Sequence, residues 1–317
     1  NSKGERFMKT YDKERMELST RDRVALANYT EIVEGRASKN GGVYLDISFM
    51  DKEFIIKKIP KIYRQFIESQ MLDISKSPME VAPTSHYSMG GIEVCAEKHS
   101  TEIEGLFAAG EVTGGLHGAN RLGGNSLAEI LVFGKQAGFN ASNYSKNLSS
   151  VKRSKNVIKL CHQNIDQNII NGNELSIPLL NELSNIMWTY CGVVKSEENL
   201  KKGLEKILQL KSLLNEIEVI IEDNNYQDLI NKFDLKASII TSEATIISAI
   251  ARKESRGSHQ RSDYKKIRQE FNKNFFVRHY EDELNLYEKN LKEPNQELRT
   301  VLKDYKFNSD EKGKLLE

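Results

Sequence analysis

The chain has 317 residues, of which 38% are hydrophobic and 29% charged, and its formal net charge is +1. This length is enough for about two domains with a sizeable buried core. The near-neutral balance argues against a nucleic-acid-binding protein, which usually carries a concentrated basic surface. No run of about 18 apolar residues is present, so we expect no membrane-spanning segment.

The start of the chain and its cysteines give further expectations. The polar stretch from Asn1 to Arg6 predicts no signal peptide, and the lack of an initiator methionine suggests a fragment or a processed chain. Cys95, Cys161 and Cys191 are scattered, and no C-x-x-C motif occurs. The pattern therefore indicates no metal or iron–sulfur site, and we expect three reduced thiols.

The first part of the chain, residues 1–80, has a mixed composition. Tyr44 to Ser48 is typical of a short strand, and Phe54 to Glu68 carries apolar residues at helical spacing. Pro60 lies inside that pattern, so a new helix should begin there or the old one should kink.

Glycine is concentrated in the second part, residues 81–145. Gly105 to Glu111 predicts a strand of small and apolar residues that ends in an acid, and the following loop, Val112 to Gly124, is rich in glycine. Asn125 or Ser126 is predicted to cap a helix that follows the loop. Because a helix N-terminus stabilises a nearby anion, this junction predicts binding of an anion or a cofactor, with a tight structural turn as the alternative.

Several side chains in this part are candidates for a site. His117 and Arg121 lie inside the glycine-rich loop, where turn chemistry alone does not explain them. His86 precedes a second glycine pair, and its type fits a structural role about as well as a functional one. Arg21 follows Thr20 and is, by its local sequence, only a helix-start residue beside a cap.

The third part, residues 146–264, predicts a helical bundle. Apolar residues recur at helical spacing over Leu180 to Val193, Leu204 to Ile221 and Ile239 to Ala251. Ser196 is a plausible N-cap because two glutamates follow it.

The tail, residues 265–317, contains a possible pair of strands. The segments Phe275 to His279 and Leu284 to Tyr287 flank the dipeptide Glu281-Asp282.

Six motifs resemble one known family and follow its order along the chain. They read NSKGERFM, TRD, HYSMGG, GLFAAGEV, GLHGANRLGGNSL and ESRGSH, at residues 1–8, 20–22, 86–91, 105–112, 115–127 and 254–259. The chain thus resembles the flavoprotein subunits of succinate dehydrogenase and fumarate reductase, and the related L-aspartate oxidases. The resemblance covers most of residues 1 to 264 and is weak from about Gln269.

The resemblance implies an α+β fold in four parts. Residues 1–80 would be the C-terminal part of the capping domain, and residues 81–145 the returning segment of an α/β FAD-binding domain. Residues 146–264 would form a helical-bundle C-terminal domain, and residues 265–317 the tail.

The resemblance also implies an activity. The protein would interconvert succinate and fumarate by hydride transfer to or from FAD, in electron transport and the tricarboxylic acid cycle. Electrons would pass to an iron–sulfur subunit, with membrane-anchor subunits as further partners. We would then expect a cytoplasmic protein, peripheral on the inner face of the cytoplasmic membrane through those partners.

Substrate roles carry over to three residues. His86 and Arg121 would hold the two carboxylates of the dicarboxylate, a task that suits the planar fork of an arginine. Arg21 would be the catalytic proton shuttle. A guanidinium holds its proton firmly, so this role comes from the resemblance alone and requires a nearby base.

Cofactor roles carry over to four residues. Glu111 would bind the ribityl or ribose region of FAD. Asn125, Ser126 and Leu127 would lie at the flavin, where the last two present backbone amides to the ring at the helix start.

The chain also departs from the family, and two alternatives stay open. Complete members begin with a strand and a G-x-G-x-x-G motif that seats the FAD pyrophosphate, and no such motif occurs here. One alternative is therefore a non-catalytic remnant or a complementing half-subunit. The other is an L-aspartate oxidase, although the forms Met-Gly-Gly and Arg-Leu-Gly-Gly-Asn favour the dehydrogenase branch.

Overall fold

The computed structural model describes residues 1–149, 154–221 and 225–304. Helices and strands are mixed along the described chain, so the predicted α+β class is confirmed. The chain divides into two compact units, residues 1–86 and residues 87 onward, and each is described by itself. Of the predicted tail, residues 305–317 lie outside the described residues.

The first unit is built from short elements. Its helices are α1 (Met8–Tyr11), α2 (Arg21–Glu31), α3 (Lys52–Lys58) and α4 (Pro60–Gln70), and its strands are β1 (Val43–Leu45) and β2 (Met79–Val81). The two strands pair antiparallel, with Tyr44 opposite Glu80. A small core of Ile55, Ile74 and Met79 lies under them.

Local chemistry sets the boundaries in this unit. Pro60 is the first residue of α4, as predicted, because its ring cannot continue the preceding helix. The predicted strand from Tyr44 to Ser48 ends early, at Leu45. The carboxylate of Asp46 accepts hydrogen bonds from the backbone N–H (2.8 Å) and the hydroxyl (2.7 Å) of Ser48, which turns the chain away.

The second unit is mostly helical. Its helices are α5 (Asn125–Lys146), α6 (Lys155–Asn168), α7 (Ser176–Cys191), α8 (Glu197–Ser212), α9 (Gln227–Ala251) and α10 (Gln296–Asp304), and its strands are β3 (Val194–Lys195), β4 (Gln260–Arg261), β5 (Lys273–Tyr280) and β6 (Glu283–Asn290). Strands β3 and β4 pair parallel over two residues. No helix in the described parts of the chain is both long enough and apolar enough to cross a membrane.

Helices α7, α8 and α9 share one apolar core, which confirms the predicted bundle. Leu200 and Ile207 of α8 meet Leu235, Ile239 and Ile246 of α9 there, and all five side chains are fully buried. The core explains why these three helices carry the apolar periodicity of the sequence.

The start of α8 was predicted correctly and its end was not. The hydroxyl of Ser196 accepts a hydrogen bond from the backbone N–H of Asn199, as an N-cap does. The helix ends at Ser212, nine residues before the predicted Ile221. Beyond it, the backbone N–H of Val219 donates to the carbonyl of Ile170 (2.9 Å), so this segment lies beside a neighbouring one instead of continuing the helix.

The predicted strand pair near the C-terminus is confirmed as a hairpin. Strands β5 and β6 pair antiparallel over eight residue pairs, a longer ladder than the sequence pattern indicated. Glu281 and Asp282 form the turn with φ of 50° and 62°, which is the left-handed conformation that two-residue hairpin turns require.

The predicted strand from Gly105 to Glu111 is wrong. In the described structure this segment has a single bridge, between Ser100 and Phe107, and Glu111 lies in a turn. A strand needs a continuous ladder of partners, and the neighbouring segment supplies only this one pair.

Ile207 and Leu208 give a matched test of the bundle core. Ile207 is fully buried, whereas Leu208 is 45% exposed on the same helix. We expect Ile207→Ala to lower the free energy of unfolding by about 2–5 kcal/mol, because it leaves a cavity. Leu208→Ala should cost less than about 1 kcal/mol. Chemical denaturation measures both, and equal losses would contradict the assigned core.

Candidate functional site

The glycine-rich loop leads directly into α5. Gly115, Gly118 and Gly124 have φ of 101°, 57° and 86°, a region that side-chain-bearing residues rarely adopt. Gly124 itself is the N-cap, and no side chain caps the helix. The predicted capping role of Asn125 or Ser126 is therefore wrong, because the left-handed Gly124 starts the helix one residue earlier.

Asn125, Ser126 and Leu127 are instead the first three residues of α5. Their backbone N–H groups belong to the first turn, which has no acceptors within the helix. The N–H of Asn125 makes a long bond of 3.3 Å to the carbonyl of Leu122. The helix start therefore presents amide donors and a positive dipole end toward the loop.

Arg121 is held on the loop by an aromatic ring. The guanidinium carbon lies 4.5 Å from the centroid of the Tyr87 ring. Nη1 donates to the carbonyl of Leu122 at 3.2 Å, and Nε is buried with no hydrogen-bond partner among the described residues. A stacked guanidinium that is not committed to a carboxylate keeps its fork free to bind one.

A buried hydrogen-bond cluster lies beneath this arginine. The carboxylate of Glu129, a residue that is 4% exposed, accepts a hydrogen bond from the Tyr87 hydroxyl at 2.7 Å. The same oxygen lies 2.8 Å from Nε2 of His117. Burial, and then the hydrogen bond to Glu129, raise the pKa of Tyr87 to about 12, so its hydroxyl keeps the proton that it donates.

Glu111 connects the two glycine-rich segments. Its side-chain oxygen accepts a hydrogen bond from the backbone N–H of Ser88 at 2.8 Å. Nearby, the N–H of Ile92 donates to the carbonyl of Val112, and a side chain at Gly91 would clash with that same carbonyl. The glycine at position 91 is therefore required for the close approach of the two backbones.

Arg21 and His86 belong to the first unit. Arg21 is the first residue of α2, and its side chain is exposed. Thr20 occupies the N-cap position but makes no side-chain cap bond. His86 is the last residue of this unit and is also exposed.

The residues at the loop and the start of α5 fit a flavin. Exposed apolar side chains surround the amide donors, with Leu116 49%, Leu122 73% and Leu127 67% exposed. A flat, largely apolar ring with one anionic edge needs such a combination of apolar contact and backbone N–H donors.

Tyr87, His117 and Glu129 complete the site, although neither Tyr87 nor Glu129 was singled out in the sequence. Glu129 lies in the apolar run from Leu127 to Phe133, and that position was the available signal. An acid in such a run is buried only with hydrogen-bond partners, and His117 was the nearest candidate.

Two family models match the chain. A model described as the FAD binding domain matches residues 1–127, and one described as the fumarate reductase flavoprotein C-term matches residues 180–307. The second match extends through the hairpin of β5 and β6, where the motif resemblance was weak.

Known proteins are similar over most of the chain. An uncharacterised FAD-dependent oxidoreductase of Methanocaldococcus jannaschii is 43% identical, over 88% of this chain and 50% of the relative. A protein of the fumarate reductase (CoM/CoB) of Methanothermobacter marburgensis is 41% identical, over 87% and 50%. The structure of Mycobacterium smegmatis Sdh1 in complex with UQ1 matches with a TM-score of 0.84 and 33% identity, over 98% of this chain and 53% of that one. The chain thus spans about half the length of the curated relatives that it matches.

The glycine-rich loop, the helix start and the FAD-binding model define the chain as part of an FAD-dependent oxidoreductase. More closely, it belongs to the family of fumarate reductase and succinate dehydrogenase flavoprotein subunits, to which L-aspartate oxidases are related. The family that the sequence motifs predicted is therefore confirmed, and FAD is its cofactor.

Replacement of Glu129 tests the buried cluster. We expect Glu129→Ala to lower the free energy of unfolding by about 1–3 kcal/mol, because the Tyr87 hydroxyl and His117 lose their buried acceptor. Lys135→Ala, an exposed change on the same helix, is the control and should stay within about 0.5 kcal/mol. Chemical denaturation distinguishes the two, and a neutral Glu129→Ala would contradict the cluster.

Proposed function

We propose that this chain provides the substrate arginine and the flavin-facing helix start of a flavoprotein that interconverts succinate and fumarate. The observation that carries the proposal is the state of Arg121. Its guanidinium is stacked on Tyr87, has a buried Nε without a partner among the described residues, and lies four residues before α5. Family membership supplies the substrate class.

The substrate would be bound through its two carboxylates. Arg121 would pair bidentately with one of them, and His86 would hold the other. The Tyr87 ring restricts the guanidinium to one plane, which lowers the entropy lost when the carboxylate binds. Charged hydrogen bonds of this kind are also the strong ones.

The cofactor would lie against the start of α5. When bound, FAD supplies the hydride transfer to or from the substrate carbon. The amides of Ser126 and Leu127 would stabilise negative charge at one edge of the flavin, together with the dipole of α5. Asn125 would lie beside them, and Glu111 would bind the ribityl or ribose region.

Arg21 would carry the proton to or from the adjacent substrate carbon. Its exposed position at the start of α2 leaves the guanidinium free for substrate and solvent. Proton transfer to carbon requires a group held within hydrogen-bond reach of that carbon when the substrate is bound.

Electrons would pass from the flavoprotein to an iron–sulfur subunit. Membrane-anchor subunits would place the assembly on the inner face of the cytoplasmic membrane. The family models and relatives support this arrangement, and so do the proposed domains: residues 1–80 (capping), 81–145 (FAD-binding), 146–264 (helical) and 265–317 (tail).

L-aspartate oxidation is the second candidate, because an L-aspartate oxidase is also among the similar proteins. The two candidates differ in the substrate that reduces the flavin. Bleaching of the flavin by L-aspartate but not by succinate would favour the oxidase and contradict our proposal.

Arg121→Ala tests the substrate role. In the complete FAD-containing flavoprotein we expect a higher KM for fumarate and a kcat/KM that falls by at least about 10²-fold, because two charged hydrogen bonds are lost. Arg64→Ala, an exposed change on α4, is the control and should leave both unchanged. Steady-state kinetics measure this, and unchanged constants for Arg121→Ala would refute the role.

Arg21→Lys tests the proton role. We expect turnover to fall by at least about 10²-fold, the usual scale for loss of a general acid, with little change in substrate affinity. Arg15→Lys, an exposed change in the same unit, should retain wild-type turnover. A near-wild-type rate for Arg21→Lys would contradict the assignment.

A further inference from the structure

A compact polar segment follows the end of α9. The carboxylate of Glu254, which is fully buried, pairs with Nη1 of Arg252 and Nε of Arg256, both at 2.7 Å. It also accepts a hydrogen bond from the backbone N–H of Arg268 at 2.9 Å. These bonds hold the segment in one conformation, because a buried carboxylate is stable only with its partners in place.

A second buried charge ties this segment to the helical bundle. Arg261 is fully buried, and its Nη1 donates to the carbonyl of Ala249, within α9, at 2.7 Å. Its backbone N–H donates to the hydroxyl of Ser255 at 2.9 Å. Residues 254–261 are therefore a rigid extension of the bundle.

The tip of this extension touches the glycine-rich loop. The N–H of Ser258 donates to the carbonyl of Ala119 at 2.9 Å, and its hydroxyl lies 3.1 Å from the same oxygen. Gly257 has a φ of 58°, and a side chain there would clash with that carbonyl. The tip thus needs a glycine followed by a double donor.

We propose that the Gly257–Ser258 tip is a positioning element that fixes the glycine-rich loop and thereby Arg121. Ala119 lies two residues before Arg121, and Gly115 and Gly118 give the loop backbone little stiffness of its own. Hydrogen bonds from a rigid segment at Ala119 limit where Arg121 can lie. The consequence for substrate binding rests on the proposed function of Arg121.

Ser262 provides a matched control on the same segment. Its N–H and its hydroxyl both bond to one carbonyl, that of Lys195, at 2.9 and 3.2 Å. Ser258→Ala and Ser262→Ala therefore remove the same kind of bond from exposed serines, but only the first affects the loop.

Amide hydrogen exchange of the complete flavoprotein tests the contact itself. We expect Ser258→Ala to speed exchange across residues 115–122 by about 3- to 10-fold, the effect of losing one hydrogen bond. Ser262→Ala should leave exchange in these residues unchanged. Ser258→Thr keeps the hydroxyl and should restore the wild-type rates.

Dicarboxylate binding tests the consequence. We expect Ser258→Ala to raise the KM for fumarate, and the Kd for malonate in calorimetry, by about 3- to 10-fold with kcat within about twofold. Ser258→Thr should restore both constants. Gly257→Ala should lower kcat/KM by about 10²-fold, because the added carbon displaces the loop.

The proposal is overturned if Ser258→Ala matches Ser262→Ala in loop exchange, or if it loosens the loop without changing malonate affinity. A folded Gly257→Ala with wild-type constants also overturns it. Failure of the proposed function has a different signature, since Arg121→Ala would then bind malonate like the wild type. The exchange experiment does not depend on that result.

Discussion

The buried carboxylate of Glu129 is the constraint on which the geometry of the glycine-rich loop depends. A carboxylate removed from water costs several kcal/mol unless hydrogen bonds replace its hydration. Here the Tyr87 hydroxyl and His117 provide them, at 2.7 and 2.8 Å. Glu129 belongs to α5, so these bonds tie three segments of the chain to one helix. Tyr87 in turn carries the guanidinium of Arg121 on its ring.

The loop gains its shape from outside because its sequence gives it little. Gly115 and Gly118 occupy left-handed conformations, and each ordered glycine loses more conformational entropy than any other residue. Hydrogen bonds at His117 and at Ala119 restrain the loop on either side of Gly118. The glycines permit close approach of a ligand, and the two restraints compensate for the flexibility that comes with them.

Helix α5 and the bundle helices differ in how they use apolar residues. Helix α9 buries eight of its 25 residues, whereas α5 buries two of 22, Glu129 and Ala137. Leu127, Leu131 and Val132 of α5 are 67%, 73% and 58% exposed, and their positions are spread around the helix. A helix that is apolar on several sides is typical of the interior of a layered domain. This pattern supports the proposed assignment of residues 81–145 to an FAD-binding domain.

Local chemistry made several features predictable from the sequence. Pro60 starts a helix because of its ring, Ser196 caps one through its hydroxyl, and the motifs around Arg121 indicated the family. Asn125 and Ser126 were good capping residues by type, but Gly124 took the cap position through its backbone conformation. Side-chain preference cannot report that choice, since it depends on how the preceding loop arrives.

Long-range partners were beyond the reach of local patterns. Tyr87 and Glu129 are 42 residues apart, and Ser258 and Ala119 are 139 apart, so no periodicity connects either pair. An acid in an apolar run still restricts the possibilities, because it must be exposed or fully hydrogen-bonded. Glu129 meets the second condition, and its partners are the residues that orient Arg121. A buried carboxylate in a helix that starts at a cofactor loop therefore indicates where the supporting hydrogen bonds of the site lie.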